Sequence, residues 1–258
     1  MEKVTSLPDA EGAQVHAGET GHRSGASRGI AITLWVIGLL TLAAASVVTH
    51  NHPGPWPVEL AFSRTVQHLP YWSWVPPVLD FFGTFNNPTP TGIVLGFVFT
   101  IILLLGRYRQ AIFLVLTAGI GNFIDALIGD YVVRPRPSPG LVHVVVSLKY
   151  NSFPSGHCCH AVLFYGFLLY LSFTKPVRTW RYRWALIPLQ IFAVLNVLLV
   201  GYSRVYEGEH WIGDIVGGYL SGALWLVLFI VLYQWITRLL QRKQAKKAVT
   251  GSMAVHRA

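Results

Sequence analysis

Apolar and polar residues fall in blocks along this chain rather than in alternation. Six apolar runs stand out, at about 29–49, 91–105, 111–127, 155–173, 185–201 and from just after His210 to about 236. Runs of this kind match the ~20 apolar residues that carry a helix across a bilayer. Helices also satisfy their own backbone hydrogen bonds inside lipid. The pattern therefore predicts an all-α protein, a bundle of six transmembrane helices. Between the first two runs, Val58, Phe62, Val66 and Leu69 recur at helical spacing, with Glu59, Arg64 and Gln67 among them. That predicts a short amphipathic helix lying at the interface after the first span. Trp56, Trp72 and Trp74 suit the headgroup level. A second short helix is predicted near 77–85, ended by Asn86-Asn87-Pro88. Residues 1–28 read as a disordered polar tail, 29–237 as the spanning domain and 238–258 as a basic tail. Ala43-Ala44-Ala45 resembles a signal-cleavage site, but the long polar lead and the spanning length of the run favour an uncleaved helix.

Composition agrees with membrane insertion. Charged residues make up 12% of the 258, about half the share of a soluble domain. The net charge of +9 does not point to nucleic acid, because the basic residues sit in short loops and tails between apolar runs. Arg107 and Arg109 follow the second run, Lys175, Arg178, Arg181 and Arg183 the fourth, and Arg238, Arg242, Lys243, Lys246 and Lys247 the sixth. If the spans alternate, all three groups share one side, which is cytoplasmic by the positive-inside rule. Both termini are then cytoplasmic, and the loops after the third and fifth runs face outside. The two cysteines, Cys158 and Cys159, are neighbours in a helical run and read as small buried side chains.

The two outward loops carry the chemistry. The first contains Arg134-Pro135-Arg136-Pro137, two guanidinium groups on a stiff extended backbone, suited to phosphate oxygens. It leads to Ser152-Phe153-Pro154-Ser155-Gly156-His157, where Ser155 is a predicted N-cap and Gly156 opens the helix start to an anion. The second holds Ser203-Arg204 and, further on, His210 and Asp214, four apart and so on one face of a helix. Phosphoryl transfer uses all of these groups. Arg136, Arg204 and the amides near Ser155 and Gly156 would hold the equatorial oxygens. His210, oriented by Asp214, would be the nucleophile, and His157 the acid for the leaving alcohol.

Arg-Pro, then Pro-Ser-Gly-His, then Ser-Arg-(five)-His-(three)-Asp resembles the type-2 phosphatidic acid phosphatase superfamily, which includes the vanadium haloperoxidases and glucose-6-phosphatase. The resemblance covers nearly the whole membrane part. It implies hydrolysis of lipid phosphates or diphosphates through a phosphohistidine, without metal or other cofactor. One position departs: the lysine usual seven residues before the second arginine is Gly129 here. Arg134 and Lys149 are the candidates to supply the missing cation.

The expected protein is a lipid phosphatase of a bacterial cytoplasmic membrane, with its site outside and a lipid phosphate as substrate: polyprenyl diphosphate, phosphatidic acid or phosphatidylglycerol phosphate. Competing readings are a phosphotransferase with the same site, an anion transporter and a non-catalytic relative. No internal repeat favours transport. A metal held by His157, His160, His210 and Asp214 is disfavoured, since it leaves the arginines unexplained. Asn122 and Asp125 read as polar residues facing the bundle interior, Glu207 and Glu209 as facing water or headgroups, and His50, His52 and His68 as interfacial.

Overall fold

The computed structural model describes residues 10–255, with side chains over 27–247. Among the described residues the chain is helical throughout, without strands. Its elements are α1 (Ala10–Asn51), α2 (Pro57–His68), α3 (Val75–Phe85), α4 (Pro88–Leu104), α5 (Tyr108–Val132), α6 (Gly156–Ser172), α7 (Lys175–Arg178), a 3-10 turn (Arg183–Leu186), α8 (Ile187–Tyr206) and α9 (Ile212–Val255). Each of the six apolar runs is a helix. Among the described residues, four segments are long and apolar enough to cross a membrane unaided: Ser27–Asn51, Tyr108–Val132, Arg183–Tyr206 and Ile212–Lys247. The pair α3 and α4, bent by 66°, makes a fifth if taken as one broken span. α6, with 17 residues, is shorter.

Residues 1–41 and 42–258 separate into two units. The first ends within α1, and its described side chains Ile30, Ile32 and Leu34 are exposed, as lipid-facing residues are. Helix is assigned from Ala10 onward, inside the stretch expected as a polar tail. Residues 1–9 of that tail lie outside the described residues.

In the second unit α6 is the central helix, packed on α5, α8 and α9. Its apolar residues are not confined to one stripe, and Cys158, Cys159, Ala161, Leu163, Phe164 and Phe167 are all buried. A helix apolar all round belongs inside a bundle. The two cysteines are free thiols. Tyr233 of α9 packs its ring against Phe113 of α5 and Phe167 and Tyr170 of α6. This joins the start of α5, the end of α6 and the latter part of α9 at one end, next to Arg107 and Arg109. The opposite end gathers the end of α5, the start of α6, the end of α8 and the start of α9. The basic residues expected as a separate tail from 238 ride on α9 itself.

α2 is helical as expected, but its faces are not those the apolar spacing predicts. Glu59, Ser63 and Val66 are buried. Val58 is 71% exposed, and Phe62 and Leu69 are exposed as well. The physical cause is polar: Glu59 meets a buried arginine, and Gln67 Nε2 donates to the carbonyls of His143 (2.7 Å) and Tyr206 (3.0 Å). A buried charge without a partner costs more than leaving a few apolar side chains exposed.

The α3–α4 bend falls at Asn86-Asn87. Asn87 caps α4 and Pro88 is its first residue, a position where the missing N–H costs nothing. Asn86 Nδ2 donates to Phe82 O (2.8 Å) and to Asn196 Oδ1 of α8 (2.6 Å), which fixes the bend against the bundle.

Candidate active site

Three local devices deliver the predicted residues to one end of the bundle. α5 stops at Val133, which takes a left-handed conformation (φ 53°), and the chain leaves through Arg134 and Arg136. α6 starts after Ser155, whose N–H donates to Asp214 O at 3.0 Å, and Gly156 at its first position is exposed. α8 runs on through Ser203 and Arg204 to Tyr206, further than its apolar run, which puts Arg204 in the last turn where a cation suits the dipole. Gly208, at φ 69°, then turns the chain to His210. At the start of α9, Asp214 Oδ2 accepts the backbone N–H of Trp211 three residues back (2.8 Å), half of a capping box.

His210 and His157 face each other. His210 Nε2 lies 3.4 Å from His157 Nδ1, with ring centroids 5.6 Å apart and planes at 77°. Arg136 Nη1 is 3.1 Å from His210 Nε2 and donates to Glu209 O at 3.0 Å; its Nε donates to Tyr150 O at 2.9 Å. The other edge of His210 meets Asp214 through a serine. Nδ1 and Asp214 Oδ2 are 3.7 Å apart, beyond a hydrogen bond. Ser152 Oγ stands between them, donating to Asp214 Oδ2 at 2.5 Å and 3.4 Å from His210 Nδ1. Burial, and then the Arg136 guanidinium, push His210 below the usual histidine range, so its imidazole is neutral at neutral pH. A neutral imidazole held at Nδ1, with Nε2 turned toward Arg136 and His157, has the form of a nucleophile.

Two buried arginines flank this pair. Arg134, 2% exposed, joins Glu59 Oε2 at 2.5 Å and Asp214 Oδ1 at 2.6 Å. Burial opposes its charge, but Asp214 and Glu59 outweigh burial and hold it above the usual arginine range. Burial instead lowers Arg136, against the pull of Glu209 and Asp214. Arg204, 0% exposed, joins Glu207 Oε2 at 2.7 Å and Glu209 Oε2 at 2.8 Å. Glu209 Oε2 is also 4.0 Å from His157 Nε2. Arg204 Nη1 makes the contact with Glu209, and among the described residues Nε is left without a partner, in a region where polar groups are normally paired.

His210, His157, Asp214, Arg136 and Arg204 thus come together, with Ser155 and Gly156 beside them at the start of α6. Arg134, a candidate phosphate ligand, is occupied by Glu59 and Asp214. Lys149, the other candidate, is exposed and in no ion pair among the described residues. At Gly129 a Cβ would sit 3.4 Å from Phe153 O and 3.7 Å from Asn151 Cβ, so there is ordinary room for a side chain to begin. Glu207 and Glu209 do not face water. They are 6% and 3% exposed, drawn in by Arg204. Asp125 is buried, 4% exposed, and His160 meets Asn122 Nδ2 at 2.9 Å.

Four contributors were not singled out from the sequence: Glu59, Asn87, Ser152 and the Glu207–Glu209 pair. Asn87 Oδ1 is 3.1 Å from His157 Nε2 and anchors the imidazole edge that faces away from His210. Ser152 had the one visible signal, its place directly before Phe153-Pro154.

The site gathers two imidazoles and buried arginines at one end of a helical bundle. The PAP2 superfamily model matches residues 110–238, half of the chain. Phosphatidylglycerophosphatase B of Bacillus subtilis is 30% identical over 155 residues, covering 54% of this chain and 70% of that protein. Undecaprenyl-diphosphatase of Sulfolobus acidocaldarius is 28% identical over 58% of this chain and 58% of its own. Lipid A 4'-phosphatase of Bacteroides thetaiotaomicron is 32% identical over 52% and 54%. The chain thus spans little more than half the length of the last two. Among solved structures, a transmembrane PAP2-type phosphatidylglycerolphosphate phosphatase from Bacillus subtilis superimposes with a TM-score of 0.59 at 22% identity, covering 78% of this chain and 96% of that one. Aquifex aeolicus LpxE gives 0.53 at 20%, covering 68% and 96%. The chain belongs to the PAP2 superfamily.

Proposed function

We propose that this protein is an integral membrane phosphatase that hydrolyses a lipid phosphate or diphosphate through a phosphohistidine. The observation that carries the reading is the facing of His210 Nε2 and His157 Nδ1 at 3.4 Å beside Arg136. A phosphoryl group entering there meets a nucleophile on one side and a proton donor on the other. His210 Nε2 attacks phosphorus while the leaving alkoxide or phosphate takes the Nδ1 proton of His157 in its imidazolium form, whose Nε2–H stays on Asn87 Oδ1. Nδ1–H of His210 is held through Ser152 to Asp214, which stabilises the charge the ring acquires. Water then attacks the phosphohistidine, His157 takes its proton, and inorganic phosphate leaves with His210 restored. Arg136, the unpartnered Nε of Arg204 and the Gly156 amide beside Ser155 hold the equatorial oxygens.

The bundle is read as six spans, with α4 and α6 as the two short ones and α2 lying at the interface. Its basic end, with exposed Trp180, Tyr182 and Trp184, faces the cytoplasm together with both termini. The site then faces outside, where a lipid headgroup reaches it while the tails stay in the bilayer. The cytoplasmic membrane of a bacterium is the expected location. The relatives' names point to phosphatidylglycerol phosphate, polyprenyl diphosphate and lipid A as substrates to test, with phosphatidic acid.

The test is phosphate release by the purified protein in detergent from a panel of these lipids, with excess chelator, beside His210→Ala. Release that resists chelator and vanishes in the variant is expected, and the fastest lipid identifies the substrate class. A His210→Ala protein that keeps most of the activity, or release abolished by chelator, overturns the mechanism.

A further inference from the structure

Glu59 stands outside the matched segment 110–238 and outside every motif, yet it is 5% exposed and fully engaged. Its Oε2 accepts Arg134 Nη2 (2.5 Å) and the N–H of Trp56 (2.8 Å); its Oε1 accepts Arg134 Nη1 (3.2 Å) and the N–H of Gly213 (3.2 Å). Gly213 immediately precedes Asp214. A Cβ on Gly213 would overlap Glu59 Oε1, so the glycine is what lets the carboxylate reach the start of α9. The same Arg134 Nη1 that meets Glu59 donates to Asp214 Oδ1 at 2.6 Å. Glu59 therefore grips both neighbours of Asp214, the guanidinium against its side chain and the amide before it in the chain.

We infer that Glu59 is a positioning residue for the nucleophile: from α2 it fixes Arg134 and the first turn of α9, so that Asp214 and Ser152 hold His210 in its attacking orientation. Arg134 alone would be free to swing toward a bound phosphate. With Glu59 in place it serves Asp214, which explains why one arginine of the Arg-Pro-Arg-Pro loop points away from the histidine pair. The inference rests on the phosphatase reading above.

The charges around His210 set the sign of a pH test. It faces Arg136 from the loop, His157 from α6, Glu209 from its own turn and Asp214 from α9, with Arg134 and Glu59 behind Asp214. Neutralising Glu59 leaves Arg134 to draw on Asp214 alone and removes one negative charge. Protonation of His210 then becomes harder, and the acidic limb of kcat/KM moves to lower pH, by about one unit for a charge at this remove.

The experiment compares wild type, Glu59→Gln and Glu59→Asp for kcat, KM, the pH profile and thermal stability, on whichever lipid phosphate the wild type hydrolyses. Positioning predicts for Glu59→Gln a kcat about 100-fold lower, the scale of a misplaced reacting group, with KM within about threefold and the acidic limb shifted down. Glu59→Asp, which keeps the charge with a shorter reach, should keep the limb in place and recover part of kcat. A folded Glu59→Gln protein with unchanged kcat and an unmoved limb overturns the inference. If Glu59→Gln does not fold, Glu59→Asp decides: a lowered kcat at unchanged KM supports it, and wild-type kcat overturns it. A wild type without His210-dependent release refutes the phosphatase reading itself, a result separate from any difference among the Glu59 variants.

Discussion

Arg134 and Arg204 are each buried between two carboxylates, and the resemblance ends there. The partners of Arg134 come from α2 and α9, far apart in sequence, and both its terminal nitrogens are hydrogen-bonded. The partners of Arg204 come from the turn after it, Glu207 and Glu209, and its Nε is left without a partner among the described residues. One guanidinium closes a brace between distant elements. The other is held locally, with its Nε in reserve for a ligand. Burial and pairing alone do not separate structure from chemistry; the origin of the partners and the spare donor do.

Substitution separates them most sharply. Arg134→Ala leaves Glu59 and Asp214 buried without their cation, and a loss of about 3–5 kcal/mol of stability is expected, read by denaturation in detergent. Arg204→Ala should instead leave a folded protein whose kcat/KM falls by about 10²- to 10³-fold, the scale of a lost oxyanion donor. Its cost to stability is expected to be smaller because one of its two partners can be left neutral: burial pushes the Glu207 carboxyl up to about 7, against the pull of Arg204. Equal loss of folding in both variants would erase the distinction.

Gly83 of α3 tests the geometry more gently. A Cβ there would overlap Arg204 Nη2 and Ser203 Oγ. Gly83→Ala should displace the guanidinium and lower kcat/KM about tenfold, with the Arg134 brace intact. Glu207 gives a smaller, pH-dependent effect. A carboxyl raised from 4.5 to about 7 favours the folded state when protonated, so that contribution is complete below 4.5 and is lost as pH rises through about 7. Glu207→Gln should flatten the decline of melting temperature over this window. Least of all, Lys149→Ala should leave KM unchanged, since Lys149 is exposed and makes no ion pair among the described residues.

The helices and the His210–Asp214 pair were legible because each rests on neighbours in sequence. Apolar runs report burial in lipid, and a histidine four residues before an aspartate puts the two within reach, although His210 precedes α9 and Ser152, not a shared helix face, joins them. Glu59 was not legible, since its spacing on α2 reads as the wet side of an amphipathic helix. Only the folded chain brings Arg134 against it and reverses that face. Glu207 and Glu209 were misjudged for the same reason: two acids in a polar stretch read as solvated until Arg204 is placed between them. Ser152 is visible in the motif, but its bridging place depends on the gap between His210 and Asp214. The apolar runs stop before α8 and α9 do, because hydropathy falls off before helical geometry does.

The bend between α3 and α4 makes the two helices unequal in their tolerance of inserted residues. Asn86 is tied to Asn196 and Asn87 to His157, so the register of the chain is pinned at that point. One residue inserted within α3 rotates the helix beyond the insertion by about 100° and carries Asn87 away from the imidazole. One residue inserted well past Pro88 rotates only the remainder of α4, a helix with no buried residue. Length variation among descendants of this chain should therefore collect downstream of the bend, while the segment from Gly83 to Asn87 keeps its count.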